Sequence, residues 1–182
     1  INASIEAQKK VCTMTLDQRE QIISLIRKKT HENAEILANM GVNETGMGNV
    51  GDKILKHHLT ADKVPGTEDI STIAWSGDRG LTLVEMGPFG VIGAITPATN
   101  PSETVICNCI GMLAGGNTVV FNPHPNAKKT TIYTINMINE ASIEAGGPDN
   151  IAVTVEAPTL DTSAIMMKHP SIHLLVATGG PG

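Results

Sequence analysis

Three turns in the second half of this 182-residue chain carry residue types that could hold a ligand. The first is Thr96-Pro97-Ala98-Thr99-Asn100-Pro101-Ser102-Glu103, where Asn100 suits an N-cap, Pro101 the first helical position and Glu103 the partner of a capping box. A well-made helix start accounts for these residues; so does a helix N-terminus, or the Asn100 amide, turned toward a ligand's negative charge. The second is Asn122-Pro123-His124-Pro125, followed by Asn126, Lys128 and Lys129. Its two prolines stiffen the loop and present Asn122 and His124 at a strand end, either as a plain connection or as a lip against ribose or phosphate. The third is Thr178-Gly179-Gly180-Pro181-Gly182, whose glycines let backbone approach a phosphate closely. No helix follows that turn, which predicts a fragment of a longer protein.

The other chemistry-bearing residues offer less. The first turn lacks G-x-G-x-x-G, which excludes an ordinary Rossmann pyrophosphate turn there. Cys107 and Cys109, two apart on a predicted helix, face roughly opposite ways and cannot share a metal; both read as buried, inert thiols. Cys12 has no evident base beside it. His57 and His58 are neighbours on a helix and a poor metal pair, so they read as solvated surface, as does Arg27-Lys28-Lys29. His169, before Pro170, sits where a helix end favours a histidine. Neither a nucleophile–base–orienter triad nor a Walker loop is present.

The elements that must position these turns follow from periodicity. Thr15 and Gln18 form a capping-box pattern ahead of a helical stripe of Ile22, Leu25, Ile26, Ile36, Leu37 and Met40, with Gly41 as the expected stop. A second helix is expected over Asp52–Leu59. Ile73–Trp75 and Leu81–Glu85 flank the turn Ser76–Gly80, a hairpin that needs another subunit or domain to lie against. Four apolar runs follow, Val91–Ile95, Thr118–Phe121, Ile151–Val155 and Ile172–Ala177, alternating with helical patterns over Pro101–Ala114, Ala127–Ala145 and Leu160–Lys168. Strands without polar alternation are buried on both faces, and strand–helix–strand repetition makes them parallel. The fold class is therefore α/β, a doubly wound parallel sheet of at least four strands with N-terminal helices and a protruding hairpin.

Composition narrows the setting. A net charge of −5 with no long basic run argues against nucleic acid. Three cysteines without disulfide-like spacing fit a reducing compartment. No apolar run is long enough to span a bilayer, and Ile1-Asn2-Ala3 does not open a signal peptide. Only 2% of residues are aromatic, so aliphatic side chains must build the core.

Taken together, Gly87-Pro88-Phe89-Gly90-Val91-Ile92-Gly93, Ile95-Thr96-Pro97, Gly116-Asn117-Thr118-Val119-Val120 and Thr178-Gly179-Gly180 resemble the aldehyde dehydrogenase superfamily in order and spacing. Thr96–Pro101 and Asn122–Pro125 resemble its CoA-acylating branch. Glu44-Thr45-Gly46-Met47-Gly48, Asp52-Lys53 and Pro65-Gly66-Thr67-Glu68-Asp69 resemble the propionaldehyde and acetaldehyde dehydrogenases of bacterial microcompartments. The resemblance implies oxidation of a short aldehyde with NAD and transfer of the acyl group to coenzyme A, through a cysteine thiolate on a domain beyond this chain. It places Thr96 and Pro97 beside the nicotinamide side of NAD, with Ala98 and Thr99 after them as further cofactor-binding residues, and Thr178, Gly179 and Gly180 by the pyrophosphate. Asn122, Pro123, His124 and Pro125 fall at the adenosine ribose, with Asn122 and Pro125 where hydrolytic relatives carry a lysine and a glutamate. The family's oxyanion asparagine aligns with Thr99, so Asn100 stands one position later as the candidate donor. Glu156-Ala157-Pro158-Thr159 replaces the glycines expected after the preceding strand.

The organisation implied is a helical part of the cofactor domain over 1–70, an oligomerisation arm over 71–88 and a Rossmann-like NAD/CoA-binding core over 89–182. The implied partners are a small aldehyde, copies of the same chain (dimer or tetramer) and a microcompartment shell, in the cytoplasm or the microcompartment lumen, with no metal, nucleic acid or membrane. A fragment of a hydrolytic aldehyde dehydrogenase and a stand-alone, non-catalytic nucleotide-binding module are the alternatives.

Overall fold

Valine, isoleucine and alanine crowd four short runs, and in the computed structural model, which describes residues 1–179, those runs pair as one parallel sheet. The chain runs α1 (Asn2–Val11), α2 (Leu16–Thr45), α3 (Val50–Lys63), β1 (Ile73–Gly77), β2 (Gly80–Val84), β3 (Val91–Thr96), α4 (Pro101–Ala114), β4 (Thr118–Pro123), α5 (Lys128–Glu144), β5 (Ala152–Thr154), α6 (Leu160–Lys168) and β6 (Leu174–Ala177). The sheet order is β5-β4-β3-β6, with Ala94 of β3 opposite Phe121 on one side and Val176 on the other. Alternate residues face opposite layers. Ala94, Val119 and Phe121 pack with Ile22, Ile26, Ile106, Ile110 and Ile138 of α2, α4 and α5. Val91 and Val120 pack with Met166 of α6 and with Ile1 and Ile5 on the other side. The doubly wound sheet expected from the sequence is the one that forms.

Several boundaries differ for definite reasons. Helix α1, not delimited in the sequence, buries Ala7 and Val11 and mixes polar groups into the same face: Ser4 donates to Thr118 Oγ1 at 2.9 Å, and Gln8 accepts from Thr118 N at 2.7 Å while donating to Gly116 O at 2.9 Å. Gly41 does not stop α2. It is buried where a Cβ would meet the side chains of Lys53 and Pro101, and the helix continues to Gly46, whose φ of 68° makes the left-handed cap. Helix α3 starts earlier than expected because Asn49 caps it, accepting from Asp52 N at 2.9 Å. The hairpin closes more tightly than expected: Gly77 pairs with Gly80, leaving Asp78-Arg79 as a two-residue loop. Every residue of β1 and β2 is exposed, including Trp75, Leu81 and Leu83.

Arg27 is not free surface. Its guanidinium donates to Ala61 O at 2.6 Å and Val64 O at 2.8 Å, satisfying carbonyls at the end of α3, and pairs with Glu68 at 3.3 Å. Lys29 is likewise drawn onto Glu144 at 2.9 Å, which raises the pKa of the lysine.

The end of α2 also fixes the start of α5. Glu44 Oε1 accepts from Lys129 N and Oε2 from Thr130 N, both at 2.7 Å, and Oε2 takes the Thr130 hydroxyl as well. A carboxylate thus occupies a helix N-terminus that has no cap of its own. Glu44→Ala is expected to cost about 1–2 kcal/mol of stability, read as a lower urea midpoint at unchanged slope.

Candidate functional site

Past the carboxyl end of β3 the neighbouring strands diverge and a cavity of about 400 Å³ opens. Ile95, Thr96, Pro97 and Ala98 form one wall, Asn122, Pro123, His124 and Pro125 another, and Thr178 and Gly179 lie where β6 ends. Two backbone bonds fix these turns: His124 N donates to Thr96 O, and Thr178 N to Ile95 O, each at 3.0 Å. Nine of the residues singled out in the sequence therefore converge on one cavity. Gly180 lies outside the described residues.

The sequence reading missed the remaining wall, Pro158, Thr159, Leu160 and Ser163 at the start of α6. Its signal was the Thr159-x-x-Thr162 capping pair directly after β5, where Thr162 N donates to Thr159 Oγ1 at 3.1 Å. That first turn grips Asn122: the amide nitrogen donates to Ser163 Oγ, and Thr162 Oγ1 donates to Asn122 Oδ1 at 3.3 Å. Asn122 is accordingly buried rather than presented as a free lip. His124 is exposed, and its Nδ1 accepts from Asn126 N at 3.1 Å, closing the turn on itself.

No lysine, arginine, aspartate or glutamate lines the cavity among the described residues, and most of the lining is apolar. The Thr96 hydroxyl is buried in this wall without a partner among the described residues. A buried polar group without a partner is costly, and strain, a catalytic role, or a water or ion held there are the explanations for one. The lining suits a largely apolar, flat group with a few hydrogen-bonding edges.

Thr99 and Asn100 lie outside this cavity. Thr99 is exposed and its carbonyl accepts from Lys53 Nζ at 2.9 Å; Asn100 borders a second cavity of about 340 Å³ between α3 and α4, with Lys56, Glu103, Cys107 and Asn108. The expected capping box does not form. The Asn100 side chain makes no cap bond and instead accepts from Lys56 Nζ at 3.2 Å. Glu103 is drawn inward to Lys53 Nζ at 3.2 Å, its other oxygen lying 3.2 Å from Ser102 Oγ.

His57, expected on the surface, is fully buried in the same cluster. Its Nδ1 lies 2.6 Å from Lys53 O, and a carbonyl only accepts, so Nδ1 carries a hydrogen. Burial pushes the pKa of the imidazole below its ordinary value, and the neutral ring leaves Nε2 to accept from Ser102 Oγ at 2.7 Å.

The cysteines divide. Cys109 is buried and Cys107 is exposed, against the expectation that both would be buried; burial pushes the Cys109 thiol up, and partial desolvation against the helix raises that of Cys107 as well. A nucleophilic cysteine needs the opposite shift. Cys12 is exposed and donates to Lys9 O at 3.3 Å.

A doubly wound sheet whose cavity lies past the strand ends, beside the point where strand order reverses, is of the Rossmann type. The aldehyde dehydrogenase family profile matches residues 1–182, and the chain belongs to that family. It is 50% identical over 180 residues to an acetaldehyde dehydrogenase (acetylating) of Bilophila wadsworthia, covering 99% of this chain and 37% of that protein. A propionaldehyde dehydrogenase from the Clostridium phytofermentans fucose utilisation bacterial microcompartment superposes with a TM-score of 0.97 at 72% identity, over 100% of this chain and 42% of that one. The Rhodopseudomonas palustris propionaldehyde dehydrogenase with bound propionyl-CoA gives 0.95 at 47% identity, over 99% and 40%. The chain thus spans about two-fifths of the length of these relatives.

The buried histidine makes a pH signature. Between its depressed folded pKa and the ordinary value of 6.5, the unfolded chain binds more protons at His57 than the folded one, so this residue's share of stability rises with pH there. The stability advantage of the parent over His57→Asn is expected to be full above pH 6.5 and to shrink as pH falls below it, read from urea midpoints.

Proposed function

We propose that this chain is the cofactor-binding portion of an NAD-dependent, CoA-acylating aldehyde dehydrogenase, which converts propanal or acetaldehyde plus CoA and NAD to the acyl-CoA and NADH. The observation that carries the reading is the mostly apolar cavity past the carboxyl ends of the central strands, with the Thr96 hydroxyl unpartnered in its wall among the described residues. NAD, when bound, supplies the hydride acceptor. Thr96–Ala98 would border the reacting end of the nucleotide, and the Asn122–Pro125 turn with Leu160 its adenosine end. The Asn122 amide is engaged by Thr162 and Ser163, and position 125 is a proline. The adenosine wall therefore carries no lysine, arginine, aspartate or glutamate. Such a wall suits a pocket that admits in turn the adenosine halves of NAD and of CoA, which differ in the charge near the ribose.

The raised thiols at 107 and 109 support a nucleophilic cysteine elsewhere in the protein. The exposed apolar side chains of β1 and β2, among them Trp75, Leu81 and Leu83, support an arm that pairs copies of the chain into a dimer or tetramer. The likeness to a microcompartment enzyme supports the lumen of such a body as the setting, its shell then being a further partner.

The complete enzyme is expected to form NADH from propanal only when CoA is supplied; CoA-independent release of the free acid would replace this reading with the hydrolytic one. Removing the orphaned hydroxyl gives a second check. Thr96→Val is expected to leave the unliganded protein as stable or more so, while NAD binding weakens by about two- to tenfold, both read by thermal shift and calorimetric titration.

A further inference from the structure

The turn from Thr96 to Asn100 is the partition between the two cavities: its first half lines one and Asn100 lines the other. What holds it lies on neither cavity's floor but on α3. Lys53 is only 3% exposed. Its stem lies against Gly41 of α2 and Gly48, where an added Cβ would approach it to 3.7 and 3.4 Å, so two glycines make room for it. Its ammonium reaches Thr99 O at 2.9 Å and Glu103 Oε1 at 3.2 Å. One turn further along α3, His57 holds Ser102. A buried amine that neutralised one carboxylate would account for the Glu103 contact alone; the bond to the Thr99 carbonyl, in an exposed turn, is an additional commitment.

We propose that Lys53 is a positioning residue for the proposed reaction: it orients the Thr99–Asn100 peptide, and with it the partition beside the reacting end of the nucleotide. A peptide unit is planar and trans, so its carbonyl and its N–H point opposite ways. Drawing the Thr99 oxygen down to Lys53 turns the Asn100 N–H away from the buried amine. Among the described residues no acceptor takes that N–H. The role is mechanical and electrostatic, with no contact between Lys53 and a ligand required. The inference rests on the functional reading above for its kinetic consequence, though not for its geometric one.

The test separates charge balance from orientation. In the complete enzyme, Glu103→Gln keeps the Lys53–Thr99 bond, whereas Lys53→Met/Glu103→Gln removes it without stranding a buried carboxylate. At matched melting temperature, the double variant is expected to show kcat about tenfold below that of Glu103→Gln, with KM for NAD within about threefold. Amide exchange over residues 97–104, followed by mass spectrometry, is expected to be faster in the double variant by a similar factor. Equal kcat and equal exchange in the two variants would reduce Lys53 to a structural residue and overturn the proposal. A parent enzyme without CoA-dependent NADH formation would sink the functional reading instead, and the exchange comparison would still decide this one. If the double variant does not fold, the all-apolar Lys53→Met/Glu103→Met pair against the parent carries the same two outcomes.

Discussion

The ladder of β3 governs everything at the site. As the central strand it is paired on both sides and buried on both faces, so its backbone groups are satisfied by its neighbours for as long as the register lasts. The register ends at Thr96, and the last two carbonyls go to the first N–H groups of the turns that follow β4 and β6. Two turns far apart in sequence are thereby drawn to one point in space. Beyond that point no strand pairing is available, the chains must part, and the space between them is the cavity. The cavity follows from where pairing stops.

The same logic shows why its walls are firm. The turns after β3 and β4 are braced from behind by elements that contribute nothing to this lining: Glu44 at the end of α2 holds the start of α5, and α3 holds the start of α4 through Lys53 and His57. Helix α6 braces its side directly, by engaging the Asn122 amide. The N-terminal helices are thus more than a cover for the apolar sheet face, since they carry the polar side chains that fix the turns after β3 and β4 in place.

How much of this was legible in the sequence depended on whether the signal was local. Helices α4 and α6 have the limits read from Pro101 and from the pattern Leu160–Lys168, because a proline at the first helical position and a short periodic run are signals that act within a few turns. The strands were found from their unbroken apolar runs, and the residues that gather at the cavity from their place at strand ends. What could not be read required partners distant in the chain. Gly41 looked like a stop because glycine usually ends a helix, and only the packing of Lys53 and Pro101 against it explains its position inside one. His57 and Arg27 looked like surface because their partners, Ser102 and the carbonyls of α3, lie 45 and 34 or more residues away. Glu103 looked like a capping partner until a buried ammonium claimed it. Polar residues recruited over long distances are the ones a single sequence conceals.

The composition that starves the core of aromatics leaves one indole in the whole chain, and it lies on the outer arm. Trp75 is 58% exposed on β1, remote in sequence from the strand ends and surrounded by other uncovered apolar groups. Light absorbed by that ring samples no part of the interior. Excited at the red edge, where the one tyrosine does not absorb, the indole emission of this chain is consequently a label-free gauge of what covers the arm.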